Sequence, residues 1–183
     1  MKITVLGAGA WGTALARMLA TRTHEVTLWD FFPATVELIH KTGRNERYLP
    51  GIELPPNLRA EADAARALVG AELVVVAAVS KGFRNVTRAL GPYEGIVVSV
   101  TKGIEFETGL AMTDILKENS PRSRVVAMSG PTLALEVARD IPTAIVAAST
   151  DADAARPSRR FFTAPPFAYT PARISTGSNS AAR

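Results

Sequence analysis

Six residues near the N-terminus, Gly7-Ala8-Gly9-Ala10-Trp11-Gly12, limit what this chain can fold into more than any other stretch. They follow the apolar run Ile3-Thr4-Val5-Leu6 and precede Thr13-Ala14-Leu15-Ala16-Arg17-Met18-Leu19-Ala20, which reads as strand, glycine turn and helix start in direct succession. Each glycine answers its own steric demand: Gly7 a tight turn, Gly9 the approach of backbone to a pyrophosphate, Gly12 the close packing of helix on strand. Free N–H groups in the first turn of the helix face the anion. The next apolar run, Glu25-Val26-Thr27-Leu28-Trp29, ends in Asp30, at the distance where a carboxylate accepts hydrogen bonds from an adenosine ribose. Residues 1–30 therefore read as a dinucleotide-binding unit, against the plainer alternative of a tight turn that binds nothing.

At 183 residues there is room for one full domain and a remnant. The absence of cysteine excludes disulfides, thiolate metal sites and thiol nucleophiles and fits a reducing cytoplasm; no metal site is read from the chain. No apolar run approaches the length of a membrane span, and Met1 to Leu6 is the strand the glycine turn needs rather than a signal peptide, so the expected location is cytoplasmic. A pI of about 9.8 points toward nucleic acid only until its source is traced. Residues 156–183 carry five arginines and no acid, which leaves 16 basic and 17 acidic side chains in residues 1–155. The body is nearly neutral, the tail holds no binding motif, and no nucleic-acid partner is expected.

Along the chain, Pro33 opens a helix running to about Lys41, and residues 42–58, rich in turn formers and mixed charge, are long enough to be a loop with a task or a solvated surface loop. Alanine-rich sequence from about Glu61 to Leu68 predicts a helix, and Leu73 to Val79, apolar without alternation, a central parallel strand covered on both faces. Its end, Ser80-Lys81-Gly82, is expected to face a ligand, with a helix over about Phe83–Leu90 behind it. Gly95 to Val100 is a second buried strand with Thr101-Lys102-Gly103 at its carboxyl end. A helix over about Leu110–Glu118 and a strand near Arg124–Met128 follow. Ser129-Gly130-Pro131-Thr132 then opens another helix, with Pro131 in its first turn, either as an anion contact or as a plain cap. Pro142 to Ala148 adds a strand, and the alternation as a whole predicts a doubly wound, mostly parallel α/β sheet.

Gly7 to Leu15, Asn45 to Gly51, Ser99 to Glu105, Ser129 to Thr132 and Pro142 to Ser149 together resemble the bacterial NAD(P)-dependent glycerol-3-phosphate dehydrogenases, over residues 1 to about 155. The glycine fingerprint occurs in many families, whereas Asn-Glu-Arg-Tyr-Leu-Pro-Gly, Thr-Lys-Gly-Ile-Glu and Ser-Gly-Pro-Thr in this order are narrow. The resemblance implies a Rossmann-like cofactor domain over 1–155 in which Ala10 and Trp11 contact the dinucleotide, Lys102 meets cofactor and substrate, Gly130 and Thr132 hold the substrate, and Ala134 touches the dinucleotide. It implies hydride transfer between NAD(P)H and dihydroxyacetone phosphate or glycerol 3-phosphate. Where relatives often carry a basic residue after the position of Asp30, this chain has Phe31 and Phe32, which favours NAD while leaving NADP open.

The resemblance stops in the tail. Members of the family continue into a helical second domain whose lysine is the expected catalytic base, and residues 156–183, read as a basic irregular tail, contain no lysine. One nucleotide inserted after the Phe167 codon turns a permitted coding of Phe167 to Arg183 into Phe-Arg-Val-Tyr-Thr-Arg-Ala-Asp-Ile-Asp-Gly-Phe-Glu-Leu-Gly-Gly-Ala, the family's domain junction. The expectation is an out-of-frame tail from about Ala168, which sequencing of the encoding DNA tests. Apolar surface left uncovered without the second domain is expected to favour a homodimer or aggregation. Two alternatives stay open at this point: a non-catalytic dinucleotide-binding module, and the N-terminal domain of a dehydrogenase acting on another small hydroxy substrate.

Overall fold

The computed structural model describes residues 1–22, 24–151 and 154, and the backbone of residues 167–173. Its elements run β1 (Lys2–Leu6), α1 (Ala10–Thr21), β2 (Glu25–Trp29), α2 (Pro33–Thr42), β3 (Leu58–Glu61), α3 (Ala64–Leu68), β4 (Leu73–Val76), α4 (Ser80–Thr87), β5 (Ile96–Ser99), α5 (Met112–Asn119), β6 (Arg124–Ser129), α6 (Ala134–Ala138), β7 (Thr143–Ser149) and β8 (Phe167–Arg173). The strands form one sheet in the order β3-β2-β1-β4-β5-β6-β7-β8. β1 to β6 are parallel, β7 runs antiparallel to β6, and β8 lies parallel to β7. This is the Rossmann-like, doubly wound, mostly parallel sheet that the alternation of elements predicts.

The unalternating apolar runs are explained by two cores. Ile3 and Val5 of β1 and Leu73 and Val75 of β4 pack on one face with Leu15, Met18 and Leu19 of α1, whereas Leu6, Val74 and Val76 face the opposite way toward Phe83 of α4 and Ile115 and Leu116 of α5. Strand residues alternate in direction, so a strand covered on both faces is apolar at every position.

Five local expectations need correction. The helix placed from Glu61 begins only at Ala64, because residues 58–61 pair with β2 as an edge strand and Glu61 turns its carboxylate onto the N–H groups of Ala62 (2.8 Å) and Asp63 (2.9 Å). High helix propensity in alanine-rich sequence is overridden here by burial of Leu58 and Ala60. The strand expected over Leu73–Val79 stops at Val76, and α4 starts at Ser80 rather than Phe83. Pro131 precedes its helix instead of sitting in the first turn, since α6 begins at Ala134 with Leu133 as its N-cap. Finally, Phe167–Arg173, within the tail read as irregular, forms β8 beside β7; most of residues 156–183 lies outside the described residues.

Candidate functional site

From β1 the chain runs to β2 and β3 on one side and returns to β4 on the other, so a crevice opens where β1 and β4 diverge at their carboxyl ends. The glycine turn sits in it. Gly7 adopts φ +112°, and a Cβ there would lie 2.8 Å from the Ala77 carbonyl oxygen at the end of β4. A Cβ on Gly12 would overlap the Gly7 carbonyl oxygen and stand 3.1 Å from the Ala77 side chain. Gly9 differs, because a Cβ there would meet nothing within 4 Å. Two glycines thus allow protein to touch protein, and the third faces open space at the uncapped N-terminus of α1. That cradle fits a diphosphate, whose oxygens would take the volume a side chain would fill.

On one side of the turn, Gly7, Gly9, Trp29, Asp30, Phe31 and Tyr48 line a cavity of about 420 Å³. Asp30 is buried, and its carboxylate receives two backbone N–H groups, Ala8 N–H on Oδ2 and Phe32 N–H on Oδ1, both at 2.9 Å. The acid predicted as a ribose acceptor braces the end of β1 against the end of β2, and each oxygen keeps lone-pair capacity for a hydroxyl. Phe31 and Phe32 meet edge to face with ring centroids 5.4 Å apart and stay more than half exposed, an apolar rim for a planar base.

On the other side, Trp11, Val100, Lys102, Met128, Ser129, Gly130, Thr132 and Ile145 line a second cleft of about 180 Å³. Lys102 follows β5, and its Nζ donates to the Gly130 carbonyl oxygen at 3.1 Å. The neighbouring Thr101 hydroxyl donates to Ala78 O at 2.6 Å, which ties the Lys102 loop to the end of β4. Gly130 is required by packing, since a Cβ would overlap the Ala144 carbonyl oxygen of β7. The structure thus brings Trp11, Lys102, Gly130 and Thr132 together, and separately Gly7, Gly9, Asp30 and Phe31. Ala10 and Ala134 line neither cavity: they open α1 and α6, two helices that pack on each other.

The loop bearing Lys102 is anchored from behind. Glu105 takes Arg84 Nε at 2.8 Å and Arg84 Nη2 at 2.7 Å, with the Thr108 hydroxyl at 2.6 Å, while Arg84 Nη1 reaches Glu118 at 2.6 Å. The paired Arg84 hydrogen bonds hold the Glu105 carboxyl down at about 2, below its ordinary value of 4.5. Because the folded value lies below the unfolded one, the stabilisation is complete above the ordinary carboxyl range and is lost as pH falls from about 4.5 toward 2. Glu105→Gln is expected to melt below wild type at pH 7, with the gap in Tm holding constant down to about pH 5 and narrowing below that as the melts are repeated down to pH 3; a gap independent of pH down to pH 3 would contradict this.

Sequence reasoning missed the part played by Asn45. Its side chain is fully buried beneath the glycine turn, with Nδ2 donating to Ala8 O and to Thr13 Oγ1, each at 2.8 Å. Residues 42–58 are thus a loop with a task, and no local sequence signal states that the target of Asn45 lies 37 residues upstream.

The fold and its paired cavities define a Rossmann-like domain built to receive a dinucleotide at the β1–β4 crevice. The chain belongs to the family described as NAD-dependent glycerol-3-phosphate dehydrogenase N-terminus, whose model matches residues 2–155. It is 44% identical over 155 residues to glycerol-3-phosphate dehydrogenase (NAD(P)+) of Anaeromyxobacter dehalogenans, a match covering 81% of this chain and 47% of the relative. The enzyme of that name from Syntrophotalea carbinolica is 40% identical over 168 residues, covering 88% of this chain and 50% of the relative. The crystal structure of glycerol-3-phosphate dehydrogenase from Coxiella burnetii superposes with a TM-score of 0.88 at 29% identity, covering 93% of this chain and 53% of that one. The chain spans about half the length of the curated relatives it matches.

Proposed function

We propose that this chain is the cofactor-binding half of a glycerol-3-phosphate dehydrogenase, holding NAD(H) next to glycerol 3-phosphate or dihydroxyacetone phosphate. The observation that carries the reading is the single cleft in which Trp11 of the glycine turn meets Lys102, Gly130 and Thr132. Gly9, Ala10 and Trp11 would hold the dinucleotide along the turn that Gly7 and Gly12 shape by packing, Asp30 and Phe31 its adenosine half, and Ala134 its flank. Lys102 would face cofactor and substrate, with Gly130 and Thr132 on the substrate. Bound there, the nicotinamide supplies the hydride acceptor or donor for C2 of the substrate. The part of this chain is to bind and orient: the Lys102 ammonium is a compact point charge suited to a phosphate dianion. Phe31 and Phe32 offer no cation to a 2′-phosphate, which supports NAD over NADP.

By resemblance, the lysine that moves the hydroxyl proton belongs to the helical domain that follows the cofactor domain in relatives. Losing a general acid–base group costs about 10²- to 10⁴-fold in rate, so this polypeptide alone is expected to turn over little. We also infer that residues 1–155 are the dinucleotide-binding domain and that the chain is read out of frame after Phe167, the latter supported by the codon argument. A cytoplasmic location fits the absence, among the described residues, of a helix long and apolar enough to cross a membrane. Self-association as a dimer draws support from Phe106, 96% exposed.

Calorimetric titration of the 183-residue protein tests the reading. Saturable NADH binding, tighter than NADPH, is expected. Lys102→Met should weaken glycerol 3-phosphate binding by about 10- to 100-fold, the worth of a charge-assisted contact, while NADH loses far less. A folded wild-type protein that takes up no NADH, or a Lys102→Met variant with unchanged glycerol 3-phosphate affinity, would sink it.

A further inference from the structure

The Ala8–Gly9 peptide is the part of the turn that faces the open side, and it has two ways to lie. In a trans peptide the carbonyl of one residue and the N–H of the next point in opposite directions. Whichever side the Ala8 oxygen takes, the Gly9 N–H takes the other. In the structure the Ala8 oxygen is held on the protein side by two donors, Asn45 Nδ2 at 2.8 Å and the Thr13 hydroxyl at 3.2 Å, and Asn45 Nδ2 also donates to Thr13 Oγ1 at 2.8 Å. The preceding peptide is fixed as well, by Ala8 N–H on Asp30 Oδ2 at 2.9 Å. The Gly9 N–H makes no hydrogen bond among the described residues, and the space where a Gly9 Cβ would stand is empty to 4 Å. Asn45 Oδ1 is buried without a partner among the described residues, so the loop bears the cost of an orphaned acceptor to keep the donor end of the amide on Ala8.

We propose that Asn45 is a positioning residue that locks the Ala8–Gly9 peptide with its N–H outward, so that the turn presents a donor to a diphosphate. Flipped, the same peptide would aim a carbonyl oxygen at the anion, and attraction would become repulsion. The inference rests on the dinucleotide reading above. It adds a determinant of affinity from the loop after α2, remote in sequence from the glycine fingerprint and buried away from the ligand's side of the turn.

The test compares ligands with and without a diphosphate, on the full chain, by titration with NADH and ADP and by saturation-transfer NMR with adenosine. Asn45→Asp is close in shape but, when ionised, lacks the donor and sets a carboxylate against the Ala8 carbonyl. At pH 7.5 it is expected to weaken NADH and ADP by about 30-fold while adenosine binding stays within about threefold of wild type. Toward pH 5, protonation of the buried carboxyl restores an O–H donor, and the NADH deficit relative to wild type should shrink. Asn45→Ser carries the same ligand comparison if Asn45→Asp does not fold at neutral pH. Equal weakening of ADP and adenosine in the folded variant, or unchanged ADP affinity, overturns the proposal. Failure of the wild-type protein itself to bind NADH would instead strike the dinucleotide reading, so the two outcomes are distinct.

Discussion

Gly12→Ala is expected to lower stability by about 3 kcal/mol and to remove measurable NADH binding. Local propensity predicts the opposite sign, because alanine is favoured over glycine inside a helix by about 1 kcal/mol. The geometry decides against propensity: Gly12 is the third residue of α1, and its Cβ would overlap the Gly7 carbonyl oxygen, a backbone atom that cannot swing aside. The only relief is to move α1 away from the ends of β1 and β4, which opens the turn and loosens the packing of Leu15, Met18 and Leu19. Urea denaturation and NADH titration read the two effects. Gly9→Ala is the control, since Gly9 has φ −67° and free space around its Cβ. It should fold with wild-type stability and still lose NADH, because its new methyl stands where the diphosphate would lie. A Gly12→Ala protein as stable as wild type would mean that the close approach of turn and helix is not what holds this end of the sheet.

The second large effect is expected at Asp30. Replacement by alanine strands two N–H groups, those of Ala8 and Phe32, that now share one buried carboxylate. Hydrogen bonds to a charged acceptor are each worth about 1.5–3 kcal/mol, and water reaching the emptied site recovers part of that. A net loss of about 3 kcal/mol is expected, which lowers Tm by about 6–12 °C in a domain of this size. NADH affinity should fall with it, by about 100-fold, through the lost ribose acceptor and the unbraced turn together. Asn at this position keeps one acceptor and should fall between wild type and Asp30→Ala. A variant with unchanged Tm and weakened NADH binding would leave Asp30 a ribose contact alone; changed Tm with unchanged affinity would leave it a brace alone.

Much of the fold was legible because its strongest signals are local. The apolar runs at Ile3–Leu6 and Leu73–Val76 are strands covered on both faces, and the glycines between Leu6 and Thr13 separate into two packing positions and one open one, as their spacing implies. Errors gathered where a local preference meets a tertiary one. The alanine-rich stretch near Glu61 has helix propensity, but pairing with β2 takes residues 58–61 into the sheet. Pro131 has the right chemistry for a helix start, yet it sits in a bend and the helix begins only at Ala134, behind the extended N-cap residue Leu133.

The sequence by itself determined the order of strands and helices apart from β3 and β8, the glycine turn, the acid at the end of β2 and the family, because each depends on spacing within about thirty residues or on a short motif. Only the tertiary structure decided which side chains share a cavity and what they are bonded to. Lys102 lies 28 residues from the Gly130 carbonyl it contacts, Asn45 lies 37 from Ala8, and Asp30 lies 22 from the same residue. Those contacts are set by the crossovers that bring the carboxyl ends of β1, β2, β4 and β5 to one edge of the sheet, and a crossover leaves no mark in the local pattern of the residues it joins.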